Sequence, residues 1–382
     1  MDDIAIIGAG QSVFSRSCGV SIRELCFDAF KEAVEGLDIA KDDIDASIIC
    51  SSPGYDKQRS PAGVISQYLG LTPKPSFTVE SICSSGSTGL RIGWSLIKSG
   101  LHKVVAVIGF QKMSELGSRE IAEMMGRGSD LMWETPFGQT AGTSYALCAQ
   151  AHMAKYGTTE EQMAKVRVKN SSYGAKNPKA TFRKELSLSD VMSSEMISSP
   201  FKKYDCCANA DGASCVILAR GDIAKSVSKI PIWVIGIGAA TDAITLSQRD
   251  TLTSFCSAKA AKEAYAMAGV GPQDIDVAEV HDAFTISEII AYEDLGFAKP
   301  GEGPMLLDEK MTYIGGKIPV NVDGGLLSKG HPLGATGGSQ IRTIVRQLRK
   351  ECTESQVPDP EIGLVHNVGG TGYYGNVTIL RR

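Results

Sequence analysis

The sequence predicts an α/β fold made of two similar halves, each strand–helix–strand–helix–strand. Three observations predict it. The apolar run Ile4-Ala5-Ile6-Ile7-Gly8-Ala9-Gly10 recurs as Ile232-Trp233-Val234-Ile235-Gly236-Ile237-Gly238. The aspartate-rich turn and strand Asp43–Cys50 recurs as Asp274–His281. A Gly/Ser-rich turn that opens a helix, Cys83–Lys98, recurs as His331–Leu348. The offsets stay between 228 (Ile4 to Ile232) and 258 (Lys103 to Glu361), which marks a duplication with loop insertions.

Taken in order, the first half holds strand Ile4–Gly10, helix Ser21–Gly36, strand Asp43–Cys50, helix Cys83–Lys98 and strand Lys103–Gly109. Ser118–Tyr204 breaks the rhythm, with helices over Thr140–Tyr156 and Thr159–Ser172 and a basic end over Asn177–Lys184. It reads as a lobe over the active-site face. Strand Asp211–Leu218 returns to the sheet, and helix Ser257–Gly269 and strand Glu361–Val368 belong to the second half. The expected units are 1–117 resuming at 205–225, an inserted lobe at 118–204, and 226–382. Such alternation demands a mainly parallel sheet covered by helices. Two halves about a pseudo-twofold axis bring equivalent helix N-termini face to face, and so Cys83 to His331.

The 382 residues, 43% hydrophobic and 21% charged, are ample for a packed core. A net charge of −4 argues against a general nucleic-acid binder. Apolar runs stay shorter than the roughly 18 residues of a membrane span. Met1-Asp2-Asp3 leads straight into an apolar run, without a basic leader. The ten cysteines form no C-x-x-C pair, so a zinc site is not expected. They read as reduced thiols in the cytoplasm.

The G-x-G at Gly8–Gly10 lacks the third glycine of a dinucleotide site, since Val13 stands there. Its second copy at Gly236–Gly238 gives it a structural reading, a tight turn closing each strand. Cys83 stands between an apolar strand and Ser-Ser-Gly. A helix N-terminus stabilises a thiolate there, against the bland reading of a small buried hydrophobe. Of five histidines, three occupy unusual settings: His281 in H-D-A-F, His331 in G-H-P-L-G-A-T-G and His366 in H-N-V-G-G-T-G. Their bland readings are a strand-end histidine satisfied by its neighbouring carboxylate, a helix cap, and a second strand end. A thiol with convergent imidazoles points to covalent acyl transfer.

These motifs, in this order, resemble the thiolases over nearly the whole chain. The H-D-A-F and H-N-V-G-G-T-G variants resemble the archaeal and the sterol-carrier-protein-type branches. The resemblance implies the thiolase fold, a five-layered αβαβα core, and no cofactor beyond coenzyme A thioesters. It implies that Cys83 carries the acyl group, that His331 takes the thiol proton, and that His281 helps to form an oxyanion hole. The amide of Cys83 and one within Val368–Gly370, with Gly369 as the residue named, form a second hole. Phe284 walls the acyl pocket, and Ser254, in Leu252–Phe255, touches pantetheine. The second cysteine of other thiolases is absent: His366 stands for one version and Ala283 for the other. His366 and His281 are therefore the candidates for the α-proton. Lys176, Lys179, Arg183, Lys184, Lys202 and Lys203 are candidates for the CoA phosphates, or a solvated face.

The resemblance further implies condensation of two acetyl-CoA to acetoacetyl-CoA for mevalonate and isoprenoid synthesis. It implies a homodimer or homotetramer, and a complex with HMG-CoA synthase and a small OB-fold acyl-CoA-binding protein. A thiolase of longer 3-ketoacyl-CoA, a thiolase-like lipid aldolase and a non-catalytic acyl-CoA-binding scaffold are the competing readings.

Overall fold

The computed structural model describes residues 3–382. Eleven strands are present among them: β1 (Ile4–Gln11), β2 (Ala46–Cys50), β3 (Ser76–Val79), β4 (Val104–Gln111), β5 (Met196–Ser198), β6 (Phe201–Lys202), β7 (Gly212–Arg220), β8 (Ile232–Thr241), β9 (Val277–Glu279), β10 (Ile362–Gly369) and β11 (Tyr374–Arg381). Nine form one sheet in the order β3-β2-β4-β7-β1-β8-β11-β10-β9, and β5 pairs with β6 alone. The order mirrors itself about the β1–β8 pair, where Ile6 faces Ile232. The duplicated runs Ile4–Gly10 and Ile232–Gly238 are therefore the seam.

The two faces of each half-sheet bury different layers, because strand side chains alternate. On β4, Val105 and Val107 join Leu90, Ile97, Ile341 and Ile344 of the two central helices. Val104, Ala106 and Ile108 face the other way, onto Leu25, Ala29 and Phe30 of the outer helix Ile22–Val34. In the second half the outer helix Phe255–Ala268 packs Ala260, Ala261 and Ala264 against Leu364, Val377 and Ile379. The result is helix, half-sheet, paired helices, half-sheet, helix: the five layers that the resemblance implies.

Two expectations are corrected. The sheet is mixed rather than mainly parallel. Only β2–β3, β2–β4 and β9–β10 are parallel, while β7 and β11 run antiparallel to both their neighbours. Only a short turn, 370–373, joins β10 to β11, and a parallel crossover needs a dozen or so residues. The G-x-G pairs close no turn either: they lie inside β1 and β8. A Cβ on Gly8 or Gly238 would overlap the carbonyl of Ala33 or Ala260, so these glycines let each outer helix rest directly on its strand.

The helices at 141–156 and 160–176 start where the sequence places them, each capped by a threonine. Thr140 Oγ1 accepts from Thr143 N–H, and Thr159 Oγ1 from Gln162 N–H. No helix of the described residues is long and apolar enough to cross a membrane.

Candidate active site

Cys83 sits in a one-turn 3₁₀ segment, Ile82–Ser84, that runs into the central helix Ser85–Lys98. The turn is strained: Ile82, a β-branched residue, has φ 53°, a conformation that costs of order 1–3 kcal/mol. Side chains hold it there. Ile82 N–H donates to Glu80 Oε1 (2.7 Å), Ser85 Oγ donates to Ile82 O (2.7 Å), and Ser84 Oγ donates to Ser81 O (2.8 Å). The equivalent turn of the second half, Leu333–Ala335, leads from His331 into helix Thr336–Arg349. The two helix starts touch at Gly86, where a Cβ would lie 3.0 Å from Gly334 O.

This approach brings the expected residues together. The Cys83 sulfur and one ring nitrogen each of His281 and His331 lie within 4.8 Å of one another, all three residues buried. The imidazoles meet edge to face at 5.1 Å. Among the described residues this is the one cluster of three such groups, and it sets a thiol beside two imidazoles.

The hydrogen bonds assign the tautomers. Thr336 Oγ1 gives its proton to Pro332 O (2.9 Å), so it accepts from His331 Nδ1 (2.8 Å). His331 Nε2 is then an unprotonated base, and it has no hydrogen-bond partner among the described residues. Ser87 Oγ donates to Asn367 Oδ1 (3.0 Å), which turns the Asn367 amide N–H onto His281 Nδ1 (3.1 Å). His281 Nε2 therefore carries the proton, and it too has no partner. One imidazole offers a lone pair to the site and the other an N–H.

Burial pushes the Cys83 thiol up to about 12, although the backbone N–H groups of Gly370 and of Cys83 itself point at the sulfur and pull it down. Burial holds His331 down to about 3. It holds His281 well below the usual histidine range, reinforced by His331 and His366. The stabilisation of a thiolate expected from the helix N-terminus is thus outweighed by desolvation, which leaves a neutral thiol facing a neutral imidazole.

The other candidates fall around this centre. His366 lies on the opposite face of β10 from Asn367, bonded through Nε2 to Ser257 Oγ of the outer helix (2.8 Å). Burial depresses it to about 3. Within Val368–Gly370 the amide turned to the sulfur belongs to Gly370, one residue beyond Gly369. Phe284 stacks between Tyr145 (4.9 Å) and Phe201 (5.3 Å) in the core. Ser254 lines a cavity of about 40 Å³ that reaches His281 and His366 past Tyr145 and Arg249. A larger cavity, about 310 Å³, opens on Cys83 and is lined by Tyr55, Met124, Met125 and Tyr373. Of the basic candidates, Lys179 is committed to Glu32 (2.5 Å) and Lys202 to Glu160, whereas Lys176, Arg183, Lys184 and Lys203 are exposed.

Sequence reasoning missed Asn367, Ser87 and Thr336. Thr336 stands inside the quoted G-H-P-L-G-A-T-G motif, five residues from its partner His331, and Asn367 stands beside His366, but the partners of Asn367, Ser87 and His281, lie elsewhere in the chain.

The comparisons agree with this architecture. The family description "Thiolase, N-terminal domain" matches residues 4–222, and "Thiolase C-terminal domain-like" matches 238–382. An acetyl-CoA acetyltransferase of Methanothermobacter thermautotrophicus is 40% identical over 385 residues, covering 100% of both chains. Rabbit (Oryctolagus cuniculus) sterol carrier protein 2 is 33% identical, covering 96% of this chain and 70% of its own. Among solved structures the Ltp2-ChsH2(DUF35) aldolase superposes with a TM-score of 0.87 at 23% identity, covering 99% of this chain and 97% of its own. At that identity the likeness speaks for the fold alone. The motifs, the five layers, the matched domains and the full-length relatives together show that this chain belongs to the thiolase family of acyltransferases.

Proposed function

We propose that this chain is an acetyl-CoA C-acetyltransferase, which condenses two acetyl-CoA to acetoacetyl-CoA and CoA, reversibly, through an acyl-Cys83 thioester. The observation that carries it is the 4.8 Å convergence of Cys83 with His281 and His331. The full-length archaeal relative of that name supports the substrate.

In the thiolysis direction, Cys83 attacks the 3-keto carbon of acetoacetyl-CoA as His331 Nε2 takes the thiol proton. A neutral pair suits this step: the proton leaves as the sulfur bonds, so no buried charge need pre-exist. His281 Nε2–H and the amides of Cys83 and Gly370 offer hydrogen bonds to the oxygens that become negative. The carbon–carbon bond breaks, the acetyl group stays on sulfur, and acetyl-CoA leaves as its enolate, which is protonated at carbon by His281 or His366, the proton that His331 took from Cys83 making up the balance. The sulfur of free CoA then takes that group, and the CoA thiol proton passes through His331 to Cys83. Ser254 borders the substrate path, Phe284 backs it from the core behind Tyr145, and residues 118–204 are the covering lobe.

The wider reading is a cytoplasmic homo-oligomer that feeds mevalonate and isoprenoid synthesis in an archaeal-type route, beside HMG-CoA synthase and a small OB-fold partner. The free edge of β3 offers a surface for a second copy. Co-purification from the native host tests this.

Thiolysis of acetoacetyl-CoA by the purified chain, beside Cys83→Ala, tests the reaction. Activity that vanishes in the variant is expected. A second reading, a longer acyl substrate, is favoured by the 310 Å³ cavity on Cys83, far more room than acetyl needs. It predicts faster thiolysis of longer 3-ketoacyl-CoA than of acetoacetyl-CoA.

A further inference from the structure

We propose that Asp282 is a positioning residue: its buried carboxylate ties the segment carrying His281 to the segment carrying His331, and so sets how the two imidazoles face Cys83. The proposal rests on the acyl-transfer reading above only for what those imidazoles do.

Asp282 directly follows His281 and is fully buried. It does not satisfy its neighbouring histidine, whose Nδ1 belongs to Asn367. Its Oδ1 accepts from Leu326 N–H (2.7 Å), and its Oδ2 from Leu327 N–H (3.2 Å) and Asn170 Nδ2 (2.8 Å). Leu326 and Leu327 belong to the short helix Gly325–Lys329, which ends at Gly330 and delivers His331. Five residues cannot hold a helix by themselves. A carboxylate on the free N–H groups of the first turn fixes its place. The fit has no slack: Gly325 stands at φ 56°, and a Cβ there would overlap the carboxylate.

The surroundings make this link sensitive to charge. Glu288, from helix Thr285–Asp294, faces Asp282 across Asn170, whose Nδ2 donates to both carboxylates at 2.8 Å. Lys169 Nζ lies 2.6 Å from Glu288, and the Tyr292 hydroxyl donates to Glu288. Arg167 from the lobe helix, Glu279 from β9 and Cys207 from the segment before β7 also act on Asp282 electrostatically. Burial first, and Glu288 second, push the Asp282 carboxyl up to about 7. Protonation near neutrality weakens its hold on Leu326 and Leu327. Activity then has an acid limb that neither histidine supplies, since both are held far lower.

The test measures two rates across the neutral pH range: acetoacetyl-CoA thiolysis, and alkylation of Cys83 by iodoacetamide, which needs no substrate. With Asp282→Asn, kcat should fall roughly 10²-fold, the usual result of misplacing a catalytic group by about 1 Å. KM should change little, the acid limb should vanish, and alkylation should slow. Glu288→Gln removes the charge that raises Asp282 and leaves Lys169 beside it, so the limb should move to lower pH. Asn170→Ser removes a donor to the carboxylate, so the limb should move up. An Asp282→Asn enzyme with wild-type kcat and limb overturns the proposal. So does a limb unmoved in both neighbouring variants, which decides the matter if Asp282→Asn does not fold. A wild type without thiolysis, but with the same Asp282-dependent alkylation, would sink the reaction and leave the positioning role standing.

Discussion

His331 Nδ1 lies 2.8 Å from Thr336 Oγ1, and the threonine sends its own proton to Pro332 O. A residue one helical turn onward thus decides which nitrogen of the imidazole faces Cys83.

Thr336→Val keeps the shape and removes that acceptor. The imidazole can then adopt the other tautomer, which presents an N–H instead of a lone pair to the thiol. We expect kcat to fall by about 10²-fold, within the usual range for a lost general base, with melting temperature little changed. Thr336→Ser should restore most of the rate. Equal loss in both variants would show that the hydroxyl does not select the tautomer.

Gly370 has φ 64°, and a Cβ there would overlap the Tyr373 ring. Gly370→Ala should swing its amide away from the Cys83 sulfur. We expect about a 10²–10³-fold loss in kcat, the scale of one removed oxyanion donor. Stability should fall by about 1–2 kcal/mol for the left-handed backbone. Steady-state thiolysis and chemical denaturation measure the two effects separately.

Met125→Trp should fill the cavity on Cys83. If that space takes the acyl chain, longer 3-ketoacyl-CoA substrates lose kcat/KM and acetoacetyl-CoA keeps it. A uniform loss across chain lengths would instead assign the cavity to pantetheine.

His366→Gln separates two questions. The side chain faces Ser257 rather than the Cys83 cluster. Exchange of acetyl-CoA α-hydrogens with solvent deuterium should therefore persist, and its loss with acylation intact would make His366 the α-proton base. The same variant has a stability signature. A histidine depressed to about 3 when folded, against an ordinary value of 6.5, binds fewer protons in the native state. Its contribution is full above the ordinary value and is lost as pH falls toward the depressed one. The wild type should thus lose stability more steeply than the variant over that window, by about 1.4 kcal/mol per pH unit. Denaturant midpoints at several pH values read this difference.

The duplication, the α/β class and the meeting of Cys83 with His331 were legible in the amino-acid order alone. Each follows from local pattern: an apolar run closed by G-x-G, a Gly/Ser helix start, and repetition of both at a nearly constant offset. What only the tertiary structure decided was everything that depends on a partner far along the chain. Cys83 is a neutral thiol because burial outweighs the amides beside it, and burial has no local signature. Asn367 rather than His366 turns toward the centre because strand side chains alternate, and a one-residue difference in register moves a group to the other face of β10. Asp282 serves a helix that starts at Gly325 rather than the histidine next to it. Ser87 orients an amide 280 residues away. Motifs name the candidate groups; their protonation, facing and spacing come from the packed halves, where desolvation and hydrogen bonding act.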